Sequence, residues 1–152
     1  MFNKKGVVTQ SGADTFTQAV IDTNIQVDGK SGWSIAGLRA YWPLGYSSAV
    51  ADQHASIIVS TQPTTVTTFD QDEEIVRLDW AVSNTGGVAV AYPLELIQDV
   101  LLFEPRLTVQ PSLYVGISSA GTGLTNVMYY ELFYTVEKLT DLELLRLLQG
   151  GV

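Results

Sequence analysis

The chain has 152 residues, no cysteine, and 16 acidic against 8 basic side chains, for a net charge of −8. That length suits one domain able to bury roughly 70% of its unfolded surface, and the missing thiols exclude disulfides, thiolate metal sites and cysteine nucleophiles. An acidic chain whose only adjacent basic pair is Lys4-Lys5 is repelled by phosphate backbones and anionic leaflets, so direct binding to nucleic acid is not expected.

Charged residues make up only 16% of the sequence, against about 25% in ordinary soluble domains, and mean hydropathy is +0.18. The neutral stretches are long. Residues 31–69 hold only Arg39 and Asp52 as charges, and residues 80–94 and 107–130 hold none. Surfaces rich in Ser, Thr, Gly, Tyr and Ala pack against other protein with little charge to desolvate, which points to repeated self-association. Behind Lys4 and Lys5 there is no apolar segment of the kind a secretory signal needs, and no run approaches the ~18 apolar residues of a membrane-spanning helix.

In chain order, residues 1–15 are expected to form an N-terminal extension, 16–138 the folded domain and 139–152 a helical tail. Residues 16–27 alternate, with Ile21, Thr23, Ile25 and Val27 on one parity and Asp22, Asn24 and Gln26 on the other, which predicts a half-buried strand. Asp28-Gly29-Lys30-Ser31-Gly32 predicts a turn. Residues 33–42 form the next strand, with a bulge expected at Gly37 where the apolar parity changes. Pro43-Leu44-Gly45-Tyr46-Ser47-Ser48 opens a loop, and residues 55–61 are a third strand.

The cluster Asp70-Gln71-Asp72-Glu73-Glu74 leads into a strand with Val76, Leu78, Trp80 and Val82 facing one way and Arg77 and Asp79 the other. Asn84-Thr85-Gly86-Gly87 is a strong turn before a strand at 88–92. Residues 94–103 fit either an extended segment or a short helix, and 107–117 a strand interrupted near Pro111. Residues 126–138, apolar on both parities, predict a central strand. Thr140-Asp141-Leu142-Glu143 matches a capping box, so one short helix follows, rich in Leu142, Leu144, Leu145, Leu147 and Leu148. About eight strands at intervals of roughly 10–15 residues, without long helices between them, predict an all-β antiparallel sandwich or eight-stranded jelly roll.

The motifs that could carry chemistry are incomplete. Gly32-Trp33-Ser34-Ile35-Ala36 nearly matches a nucleophile elbow, but it opens a strand instead of a strand-to-helix turn. A triad would have to use the single histidine, His54, with Asp52 too near in sequence to orient it. Ala19-Val20-Ile21-Asp22-Thr23-Asn24 resembles the Asp-Thr-Gly loop of dimeric aspartic proteases, with Asn24 where that loop requires glycine. Asp22 reads more simply as an outward strand residue.

Asp70, Asp72, Glu73 and Glu74 offer oxygen ligands suited to calcium. The EF-hand pattern fails, however, with Ile75 at its glycine and Ala81 at its closing glutamate. A solvated acidic turn is the simpler account. Residues 116–123 are glycine-rich yet lack the lysine of a phosphate-binding loop. The aromatics Trp33, Tyr41, Trp42, Tyr46, Trp80, Tyr92, Tyr114, Tyr129, Tyr130 and Tyr134 suit core or interface positions, or a sugar-binding shelf. No catalytic, metal or cofactor-binding residue set is assigned, and no enzyme activity is expected.

Across residues 16–138 the chain resembles single jelly-roll viral capsid proteins. The resemblance is architectural and is carried by the strand beginning Gly32-Trp33-Ser34-Ile35 and by Val127-Met128-Tyr129-Tyr130-Glu131-Leu132-Phe133-Tyr134. It implies two facing four-stranded sheets and a coat subunit in the virion that self-assembles into an icosahedral shell. The implied partners are further copies and other capsid proteins. The basic N-terminal arm of small RNA-virus members is missing, since only Lys4 and Lys5 are present. That points to a shell lined by an internal membrane or by other proteins, or to a decorating role. A lectin-like or receptor-binding sandwich module, as a virion decoration or spike domain, is the alternative.

Overall fold

The computed structural model describes residues 1–26, 30–41, 52–63, 74–85, 88–92 and 101–149. These contain nine strands, β1 (Phe2–Thr9), β2 (Thr17–Asp22), β3 (Ser31–Tyr41), β4 (Gln53–Ser60), β5 (Glu74–Thr85), β6 (Val88–Tyr92), β7 (Leu101–Thr108), β8 (Ser112–Ala120) and β9 (Val127–Lys138), and one helix, α1 (Asp141–Leu148). They form a four-stranded sheet in the order β1-β9-β3-β7 and a five-stranded sheet in the order β2-β8-β4-β5-β6, antiparallel throughout.

The pairing is nested. β4 pairs with β5, β3 with β7 around them, β2 with β8 outside those, and β1 with β9 outermost. Such a ribbon of nested pairs becomes a sandwich when β9 also pairs with β3 and β8 with β4. This is the jelly-roll arrangement, with β6 added as a hairpin at one edge. Two glycines separate β5 from β6, whose facing ends are Thr85 and Val88.

The expected extension at 1–15 is corrected here, because β1 is an integral strand of the sandwich. Its alternation is hard to see because it lies at an edge, where only Val8 is buried. Lys4 and Lys5 suit such a position, since charged edges resist pairing with other chains. Gly6 also breaks the pattern. The Tyr130 ring of β9 occupies the place a Gly6 side chain would take. The expected count of eight thus omitted β1 and included β6.

Residues 107–117, expected as one interrupted strand, belong to two. β7 ends at Thr108 in one sheet and β8 begins at Ser112 in the other, so Pro111 lies in the crossing between sheets. β7 itself is an edge strand and carries Glu104-Pro105-Arg106, where proline is tolerated. Residues 16–27 form a strand only to Asp22, because Asn24 turns to positive φ (55°) and its N–H donates to the Asp22 carboxylate. The bulge near Gly37 is present as a register shift between Ile35 and Gly37 against both β7 and β9. β9 is central as expected, though not apolar on both faces. Met128, Tyr130 and Leu132 are buried, while Tyr129, Glu131 and Phe133 face out. The ambiguous segment 94–103 lies outside the described residues up to 100, and Leu101–Phe103 open β7.

Side chains from both inner faces fill the space between the sheets. Ile35, Leu38, Met128 and Leu132 come from one sheet and Ile57, Val59, Leu113 and Val115 from the other, all fully buried. In β5, Val76 and Leu78 join them while Asp79 faces out, as the alternation predicts, and Ile75 is the extra residue of a bulge opposite β4. Trp33 and Tyr134 stack at 3.7 Å near one end of the sandwich. The capping box is present as expected. The Thr140 hydroxyl accepts from the Glu143 N–H, and the Glu143 carboxylate accepts from the Thr140 N–H.

Leu132 is central in a central strand, so Leu132→Ala should lower stability by about 2–5 kcal/mol in urea unfolding. Leu102→Ala, on an exposed edge side chain, should change it by less than about 0.5 kcal/mol.

Candidate functional site

The motifs singled out in the sequence are dispersed. Ser34 is buried within β3 of the four-stranded sheet, while His54 and Asp52 are exposed at the start of β4 in the other sheet. Asp22 faces solvent and serves its Asx turn. Of the acidic cluster, residues 70–73 lie outside the described residues. Glu74 starts β5, where burial and the nearby Asp79 push its carboxyl up against the opposing pull of Arg77. Among the described residues no cluster of three or more His, Asp or Glu side chains is placed to hold a metal ion, and no helix is long and apolar enough to cross a membrane.

The aromatic set divides. Trp33 and Tyr130 are core, Tyr134 is half-buried on Trp33, and Tyr41 and Tyr129 stand exposed on the outer face of the four-stranded sheet. Trp42 and Tyr46 lie outside the described residues.

That outer face is ordered by the strand register into rows that cross the sheet. The first row is Val7, Tyr129 and Tyr41, each about half exposed, with the two tyrosine rings 6.4 Å apart. Next comes Lys5, Glu131 and Arg39. The Glu131 carboxylate lies 3.5 Å from Lys5 Nζ and 3.3 Å from Arg39 Nη1, and it also accepts from Asn3 Nδ2. Its side chain is only 12% exposed, so the carboxylate is held between two cations and the row keeps one positive charge. Beyond it, Phe133 lies opposite Asn3 and Gly37, with the Arg39 guanidinium 6.0 Å from the Phe133 ring centre, and Leu102 follows on β7. A hollow of about 200 Å³ opens between the first two rows, lined by Lys5, Gly6, Arg39, Tyr41, Tyr129, Tyr130 and Glu131.

Sequence reasoning had Tyr41 and Tyr129 as candidates and missed Lys5, Arg39 and Glu131. These three are 34 or more positions apart, and only the pairing of β9 with both β1 and β3 brings them into one line. The available signal was Glu131, a single acid on the outward parity between Tyr129 and Phe133.

A second polar group joins the loop after β1 to the loop after β8. Gln10, buried, donates to Thr15 O (2.6 Å) and Ser119 Oγ (3.0 Å) and accepts from the Asn126 N–H (2.8 Å). The Asp14 carboxylate accepts from Ser119 Oγ (3.0 Å), the Thr122 N–H (3.1 Å), the Thr122 hydroxyl and the Gly123 N–H (2.8 Å). Asn126 Nδ2 donates to Ser119 Oγ, Thr122 Oγ1 and Leu124 O. The glycine-rich segment at 116–123 is therefore tied down. Gly121 and Gly123 take positive φ to make the turn, and Phe16 covers Gly116 so closely that a side chain there would meet its ring at 2.6 Å. Burial tends to raise the Asp14 acid, but the hydrogen bonds outweigh it and hold it below its ordinary value of 3.8.

No protein-family model matches the chain, and no curated protein matches it in sequence.

The Asp14 contribution is full above pH about 3.8 and is lost as pH falls through the lower folded value. Asp14→Asn turns an amide donor toward the Gly123 N–H and should cost about 1 kcal/mol at pH 7, solvent screening keeping it small. The variant should also lose the part of the wild-type acid sensitivity due to this group. Urea midpoints at pH 7 and pH 2.5 measure both, and identical pH profiles for the two proteins would contradict the assignment.

Proposed function

We propose that this chain is a structural subunit of a virus shell, a capsid or coat protein that assembles with copies of itself and carries out no chemical turnover. The observation that carries the reading is a jelly-roll sandwich whose exposed apolar side chains gather in two places among the described residues. One is the Val7–Tyr129–Tyr41 row; the other is α1, where Leu142, Leu145 and Leu148 are all more than half exposed. Exposed apolar groups gathered in this way mark interaction surfaces, and the charge-poor composition lowers the desolvation cost of repeated contacts. The net charge of −8 and a single unbalanced cation in the Lys5–Glu131–Arg39 row favour a shell that does not hold the genome directly. Other capsid proteins, or an internal membrane beneath the shell, then meet its inner side.

One observation favours a second reading. Tyr41 and Tyr129 form an exposed aromatic pair beside Glu131 and Asn3, the composition of a sugar-binding shelf. A jelly roll hosts lectins as well as capsids, so the fold alone does not choose between them.

Sedimentation velocity over a hundredfold range of concentration separates the two readings. A shell subunit should give discrete oligomers, no detectable glycan binding and no retention of RNA or DNA on filters at physiological salt. A protein monomeric at every concentration that binds a defined glycan, with binding abolished by Tyr129→Ala, would establish the lectin reading instead.

A further inference from the structure

Among the described residues the open leucine stripe of α1 has no partner, and its place in the fold keeps it from the apolar row of its own sheet. β9 runs from Val127 to Lys138, with Tyr129 near its start and the helix following its end. The nine steps from Tyr129 to Lys138 span about 30 Å of strand. Only Leu139 and Thr140 link β9 to α1, and Leu139 is fixed there, buried and with its N–H donating 2.8 Å to Lys30 O. A helix of eight residues is about 12 Å long, so α1 cannot lie on the Val7–Tyr129–Tyr41 row of its own subunit.

Two further observations match the stripe to that row on another copy. The first is spacing. Leu142, Leu145 and Leu148 follow one another at i, i+3 and i+6, about 4.5 Å apart along the helix axis. Val7, Tyr129 and Tyr41 sit on three adjacent strands about 4.8 Å apart. A helix laid across the strands sets Leu145 above the hollow beside Tyr129, with Leu142 and Leu148 turned about 60° to either side of it and reaching the outer two side chains of the row. Leu144 and Leu147, the less exposed leucines, point elsewhere.

The second is charge. Beside the tyrosine row on the outer face, Lys5 and Arg39 outnumber Glu131, which leaves one positive charge there on a chain of −8. The first turn of α1 carries Asp141 and Glu143, and the Asp141 side chain is 82% exposed although it pairs with Lys30. With Leu145 on the tyrosine row, Asp141 lies about 40° around the axis from it and is the acid that can turn toward the Lys5–Glu131–Arg39 row, two residues further along the strands, while Glu143 stays in the capping box.

We propose that α1 of one copy docks across the outer face of the four-stranded sheet of a second copy, Leu142, Leu145 and Leu148 on Val7, Tyr129 and Tyr41. The interface is head-to-tail: each subunit offers a helix at one place and a sheet face at another, so it builds rings or chains. It rests on the subunit reading above and specifies its contact.

The test uses two full-length variants, Leu145→Glu, which disables the helix, and Tyr129→Glu, which disables the face. Both positions are exposed, and circular dichroism should match the wild type. In sedimentation velocity each variant alone should associate at least tenfold more weakly than wild type. An equimolar mixture should form a 1:1 dimer and nothing larger, because one intact helix meets one intact face. Either variant assembling as wild type does, or a mixture that stays monomeric, overturns the helix-on-sheet contact while wild-type assembly leaves the subunit reading standing. Wild-type protein that is itself monomeric overturns both.

Discussion

β9 pairs with β1 on one side and with β3 on the other, so the last strand lies inside the four-stranded sheet and not at its edge. Without it, β1 has no ladder partner among the described strands, and β3 and β7 form only a two-stranded ribbon. Such ribbons are marginal in water. The inner face of β9 also supplies Met128, Tyr130 and Leu132 to the core. Pairing of sequence-distant strands dominates the fold, with Asn3 and Glu131 in contact at a separation of 128 residues. A chain of this kind gathers its stability late and folds slowly compared with helical domains of equal size.

What the sequence disclosed follows the same division. Strands whose two faces see different surroundings were legible from alternation, as in Val76 and Leu78 against Asp79, and the local capping chemistry of Thr140 and Glu143 needed no tertiary information. β1 was not legible, because an edge strand buries little and its pattern is interrupted by a glycine made necessary by Tyr130. The division at Pro111 was hidden for another reason. Leu107, Val109, Leu113, Val115 and Ile117 keep a single parity through Pro111, yet the chain leaves one sheet and enters the other there. The candidate surface was legible only as separate tyrosines. Its line of charges depends on register, which no local pattern encodes across such separations.

The five-stranded sheet carries the Arg77–Asp79 pair, with Ser56 donating to Asp79, on its outer face, where the two charges balance. The Lys5–Glu131–Arg39 row of the other sheet keeps one positive charge. The end-of-sandwich network around Gln10, Asp14 and Asn126 plays a different part. It satisfies buried polar groups and fixes two loops against each other, so the turn after β8 arrives in a single conformation.

Val7, Tyr41 and Tyr129 come from the beginning, the first third and the last quarter of the chain. They form one row only when β1, β3 and β9 are all in register. In a partly folded molecule the three side chains are scattered and offer nothing to recognise. Any partner that reads this row is therefore proofreading: it accepts a subunit whose final strand is seated and passes over one that is still incomplete.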